Sequence, residues 1–112
     1  MNDQVIHWHA VGQLDALDPQ YPTRISVEGL DIALCRVGDE VFATSNMCSH
    51  AFAFLSDGFI EDFEIFCPLH EGSFDVRTGE AKSLPCREAI EVFAVKLEGN
   101  EIFVALDNRK EE

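Results

Sequence analysis

A small antiparallel β-sandwich or barrel is predicted by three features of the chain. Apolar and polar residues alternate in short runs, Gly, Pro and Asx turn signals separate those runs at close spacing, and almost no stretch carries helical periodicity. Residues 5–10 alternate and read as a first strand, and 11–17 as a helical turn. Residues 18–22 form a loop, because Pro19 and Pro22 sit three apart. Strands over 23–27 and 31–37 make a hairpin around Glu28-Gly29, and a strand over 41–45 follows the turn Gly38-Asp39-Glu40. Short strands are expected at 59–61 and 64–66. The segment 73–75 pairs back through the turn Arg77-Thr78-Gly79. Residues 91–97 and 102–106 alternate on either side of Gly99-Asn100, a two-residue hairpin signal. Eight or nine strands result, in a single domain over 1–106, followed by a polar tail over 107–112. Two segments, 46–58 and 67–72, carry no clean period, and each contains a cysteine and a histidine.

Composition narrows the function. With 112 residues the chain has room for one modest core but not for a large oxygenase or a two-domain dehydrogenase. Its formal net charge of −13 repels nucleic-acid backbones and anionic membranes and suits a basic protein partner. No run approaches the ~18 apolar residues of a membrane span. Met1-Asn2-Asp3-Gln4 has neither a positive n-region nor a following apolar run, so a cytoplasmic location is expected. In that reducing compartment Cys35, Cys48, Cys67 and Cys86 are metal ligands or buried thiols rather than two disulfides.

The chemistry resides in Cys48-Ser49-His50 and Cys67-Pro68-Leu69-His70, a Cys-x-His separated by sixteen residues from a Cys-x-x-His. Two thiolates and two imidazoles in paired loops form a four-ligand set for a soft or borderline metal centre. Structural zinc would group both cysteines in one motif and both histidines in the other. Here each motif mixes the two. That arrangement suits a two-iron cluster in which one iron takes both cysteines and the other both histidines. His7 and His9, on the first strand, are read as a solvated strand face. Cys35 reads as a buried thiol, and Cys86, after Pro85, as a bystander thiol.

The pattern resembles the Rieske [2Fe–2S] signature. The likeness extends to Leu55-Ser56-Asp57-Gly58, Gly72-Ser73-Phe74-Asp75, Thr78-Gly79-Glu80, Leu84-Pro85 and the closing hairpin. Within that family it is most similar to the Rieske-type ferredoxins of bacterial aromatic-ring-hydroxylating dioxygenases. The resemblance implies the Rieske fold, with a cluster-binding subdomain made by the two loops. It implies one [2Fe–2S] cluster held by Cys48, His50, Cys67 and His70. It further implies a monomeric one-electron carrier, not an enzyme. The carrier would serve aromatic hydrocarbon catabolism, shuttling electrons from an NAD(P)H-dependent flavoprotein ferredoxin reductase to a terminal oxygenase. The chain has no G-x-G-x-x-G fingerprint and no further His pair with a carboxylate, which fits a carrier. The alternatives are a small Rieske-like subunit of a larger oxidoreductase, such as nitrite reductase, and a structural zinc module.

Respiratory members of the family carry two additional cysteines that clamp the loops; Ala53 and Leu69 stand in their places. Those members also place hydroxyl donors at positions matched here by Gly72 and Phe74, while Ser73 is shifted by one and points to the other face of a strand. With two donors missing and a strongly negative chain, the expected midpoint is near the bottom of the Rieske range, below about −50 mV. From 37 to 76 there is no Lys or Arg, which predicts an acidic field around the cluster loops. Ala51, Phe52, Leu69 and Pro85 are expected to form an apolar rim there.

Overall fold

The computed structural model describes residues 7–49, 52–69, 72–84 and 86–106. Ten strands run in order: β1 (Trp8–Gln13), β2 (Thr23–Val27), β3 (Leu30–Val37), β4 (Glu40–Ser45), β5 (Phe59–Glu61), β6 (Glu64–Phe66), β7 (Ser73–Asp75), β8 (Ala81–Ser83), β9 (Val92–Glu98) and β10 (Glu101–Ala105). Among the described residues the only helical pieces are 3₁₀ turns at Leu14–Ala16 and Leu55–Asp57. All pairings are antiparallel. A six-stranded sheet has the order β1-β10-β9-β4-β3-β2, and a four-stranded sheet the order β5-β6-β7-β8. The large sheet curls until its two edges approach, with His9 Nε2 3.9 Å from Glu28 Oε2 just beyond β2.

The period-2 alternation of β3 organises two cores, since successive side chains on a strand point to opposite faces. Ile32 and Leu34 enter a core with Val27, Val41, Ala43, Phe93, Ile102 and Val104. Ala33 and Cys35 enter the other, with Leu55, Ile60, Ile65, Phe74 and the three remaining cysteines. All four of these β3 residues are fully buried, and each large one contributes about 1.5–3 kcal/mol by leaving water. The second core lies beneath the small sheet, so the packing that stabilises the fold also surrounds the cysteines. The expected buried thiol at Cys35 is found, and burial pushes it up to about 12.

Two strand expectations are corrected. Residues 5 and 6 of the expected first strand lie outside the described residues, and β1 continues to Gln13 instead of yielding to a helical turn at Val11. A bulge between Ala10 and Gly12 lets it stay paired with β10, which leaves only Leu14–Ala16 for the turn. The partner that the turn at 77–79 implies for 73–75 is β8, for which no range was expected, and it brings the strand total to ten. Ala81-Lys82-Ser83 has no alternating apolar pattern and is a strand because β7 pairs with it. The tail over 107–112 lies outside the described residues.

Candidate metal centre

The first site loop leaves β4 at Asn46, whose side chain is fully buried and closes the loop base. Its Nδ2 donates to Asp31 Oδ1 (3.1 Å) and Ser56 Oγ (3.0 Å), and its Oδ1 accepts from the Ser56 amide (2.7 Å). The Leu55 amide donates to the Asn46 carbonyl at 2.7 Å, and the Cys48 amide to the Ala53 carbonyl at 3.0 Å. Arg24 braces the base from outside, with a bidentate pair to Asp31 and its guanidinium 4.2 Å over the Phe54 ring. A buried asparagine with this many partners resists rotation, so Cys48 is presented at a fixed angle.

The second loop joins β6 to β7 and is closed by the Cys67 amide donating to the Gly72 carbonyl at 2.7 Å. The Leu69 amide points at Cys67 Sγ, 3.5 Å away. Cys48 and Cys67 are both buried and belong to one core, where the Cys48 thiol adds to the upward shift of Cys67. Burial is the main cause that pushes Cys67 up to about 11. Two soft donors on separate loops thus converge at one point. His50 and His70, with Ala51, Glu71 and Pro85, lie outside the described residues. Of the other histidines, His7 precedes β1, and only His9 lies on it, half-buried opposite Glu28.

Cys86, read from the sequence as a bystander thiol, lies beside a cysteine of the first loop. It is buried, and its Sγ lies 3.9 Å from Cys48 Sγ. A Cβ added at Gly72 would fall 2.3 Å from that Sγ, so the space above Gly72 is taken by a thiol that arrives from a third segment. Phe74 is fully buried in the same core. Ser73 turns to the opposite face as expected, its hydroxyl donating to Glu64 Oε1 at 2.7 Å and lying 3.0 Å from Ser83 Oγ.

The surface differs from the sequence picture in one respect. Asp39, Glu40, Asp57, Glu61 and Asp62 are exposed, but Asp75 is buried and paired with Arg77. Arg77 stacks over Phe63, Arg24 senses Asp57, Arg36 pairs with Asp39 at 4.0 Å and Lys82 acts on Asp75, so four cations from outside the 37–76 window interact with it. The Arg77 guanidinium holds the Asp75 carboxyl below the usual carboxylate range. The stability this pair lends is therefore present above the unfolded carboxylate pKa and lost as pH falls through the depressed folded value. Of the expected apolar rim, Phe52 (96% exposed) and Leu69 (42%) are open to solvent, and Leu84 (69%) joins them from the Cys86 segment.

A β scaffold that brings buried thiols together from two paired loops, beside exposed apolar residues, suits the class of thiolate-ligated metalloproteins. The chain belongs to the Rieske [2Fe–2S] domain family, which matches residues 7–106, and its cofactor is the Rieske [2Fe–2S] cluster. It is 46% identical to the ferredoxin component of a naphthalene 1,2-dioxygenase system from Pseudomonas aeruginosa over 82 residues, 73% of this chain and 79% of the relative. Its fold superposes on the ferredoxin of carbazole 1,9a-dioxygenase from Nocardioides aromaticivorans with a TM-score of 0.84 and 45% identity, covering 88% of this chain and 96% of that one. It also matches a solved complex of reduced oxygenase and oxidized ferredoxin in carbazole 1,9a-dioxygenase (TM-score 0.82, 36% identity, 88% and 92% coverage). No helix among the described residues is long and apolar enough to cross a membrane.

Proposed function

We propose that this protein is a cytoplasmic one-electron carrier that takes electrons from an NAD(P)H-dependent flavoprotein reductase and delivers them to an aromatic-ring-hydroxylating oxygenase. Cys48 and Cys67 hold the inner iron, and His50 and His70 the outer one. The observation that carries this reading is the convergence of the Cys48 and Cys67 thiols in one buried core, each on a loop that bears a histidine two or three residues further on. That geometry fits the cluster: the buried sulfurs match the inner iron, and the sequence puts a histidine shortly after each cysteine. The cluster supplies one-electron storage, and the residues around it do the rest. The Asn46 network fixes the first loop, the Cys67–Gly72 hydrogen bond closes the second, and the core beneath keeps water from the sulfurs. Phe52 and Leu69 supply apolar contact for a partner that must bind briefly. The relatives named above support the carrier role, because they are ferredoxin components, and one similar protein is seen with its oxygenase.

Arrival is electrostatic. The net charge of −13 would let basic patches on both partners steer encounter, and exposed charges are screened beyond ~8 Å at physiological salt. Stopped-flow reduction by the flavoprotein reductase, and reoxidation by the oxygenase, are expected to slow as ionic strength rises. Glu71→Lys, next to His70, is expected to slow both at low salt with an unchanged visible spectrum. Rates that do not respond to salt in either protein would remove the steering role and leave the apolar residues as the docking determinant.

A further inference from the structure

We propose that Cys86 is a positioning residue of the cluster: its thiol donates a hydrogen bond to the sulfur of Cys48 and raises the midpoint potential. This rests on the reading of Cys48 as an iron ligand. The two sulfurs are 3.9 Å apart and both buried, and in the bare protein either could be the donor. Iron removes that symmetry. A ligating Cys48 has lost its proton, so between the two only Cys86 can donate, and the acceptor is then an anionic sulfur.

The position of the thiol is built from three sides. The Cys86 amide donates to the Ser83 carbonyl at 3.0 Å, which anchors the residue to the end of β8. Gly72, in the second loop, leaves the volume that the sulfur fills, since a Cβ there would meet Cys86 Sγ at 2.3 Å and its Cβ at 3.2 Å. Ser49 Oγ donates to the Glu88 carbonyl at 2.7 Å, tying the first loop to the chain just beyond Cys86. All three segments of the site therefore meet at this sulfur.

The consequence is electronic. A donor to a ligand sulfur stabilises the reduced cluster, which carries one more negative charge, more than the oxidised one. Side chain 72 is absent and side chain 74 is a phenyl ring, so neither offers a hydroxyl in this chain. Cys86 supplies a donor from a different segment. A thiol is a weaker donor than a hydroxyl, so the rise is modest and the potential stays in the low part of the Rieske range.

The test is a spectroelectrochemical titration of iron-loaded wild type, Cys86→Ala and Cys86→Ser at one pH. Alanine removes the donor; serine keeps one in nearly the same place. Cys86→Ala is expected to retain iron and colour but to lower the reduced-to-oxidised ratio at least threefold at fixed potential, about 28 mV at 59 mV per tenfold. Cys86→Ser is expected at or above the wild-type midpoint. Equal midpoints for wild type and Cys86→Ala would overturn the proposal while leaving the ligand assignment intact. So would loss of iron from Cys86→Ser, which would make Cys86 a ligand rather than a donor. Iron-free, colourless wild-type protein would instead remove the underlying reading of Cys48.

Discussion

Cys48→Ala protein is expected to purify without visible absorbance and with a melting transition lowered by ~10 °C or more, because cluster binding and folding are coupled. The size of the effect follows from where Cys48 sits. It is not a surface ligand that can be lost quietly but a member of the core that includes Leu55, Ile60, Ile65 and Phe74. On the proposed ligation its loss removes an iron ligand, and it takes away the Cys48 thiol beside Cys67 and Cys86. Among the described residues the Cys48 to Ala53 and Cys67 to Gly72 backbone hydrogen bonds help fasten the loops to that core. Iron and sulfide analysis with calorimetry checks this. A variant that keeps full iron and the wild-type transition would show that Cys48 is no ligand.

Gly58→Ala is expected to be strongly destabilising although it adds a single methyl group. A Cβ at Gly58 would lie 1.8 Å from the Phe66 carbonyl oxygen and 3.0 Å from its carbon, both backbone atoms that no rotamer change can move aside. The two segments are clamped by the β5–β6 pairing, in which Phe59 and Phe66 stack with centroids 4.8 Å apart. Relief requires separating β5 from β6, at a cost of about 3 kcal/mol or more. Phe66 immediately precedes Cys67, so the shift passes into the second cluster loop. Lower iron occupancy should accompany a transition lowered by roughly 4–8 °C for each kcal/mol lost. A variant with wild-type stability and iron content would mean that the β5–β6 corner yields more easily than its pairing suggests.

The parts of this account that were legible in the sequence are those set by local pattern. Mixed Cys/His spacing marks the two loops because metal ligation constrains residue type and interval directly. The hairpins at Glu28-Gly29 and Gly99-Asn100 announce themselves by turn chemistry and flanking alternation. What sequence could not give depends on contacts between distant segments. β8 is a strand only through β7. Asn46 looks like an ordinary polar residue until Asp31 and Ser56 are brought to its amide. Cys86 is nineteen residues beyond Cys67, with no motif to connect it to either cysteine, and its place beside Cys48 is decided by the turn after β8 and the missing side chain at Gly72. The acidic window was correct as a count and incomplete as a field, since Arg24 and Arg77 reach back over Phe54 and Phe63. His50 and His70 rest on the spacing argument and on the converging cysteines.

The central claim is that two histidines complete what two buried cysteines begin. Pulsed electron paramagnetic resonance of the dithionite-reduced protein, grown with ¹⁵N-histidine, tests it most directly. Strong couplings to two histidine nitrogens are predicted at the reduced iron, with one of them lost in a His70 variant that retains iron. A reduced cluster without histidine nitrogen coupling would contradict the assignment, as would stoichiometric zinc in protein produced with ample iron.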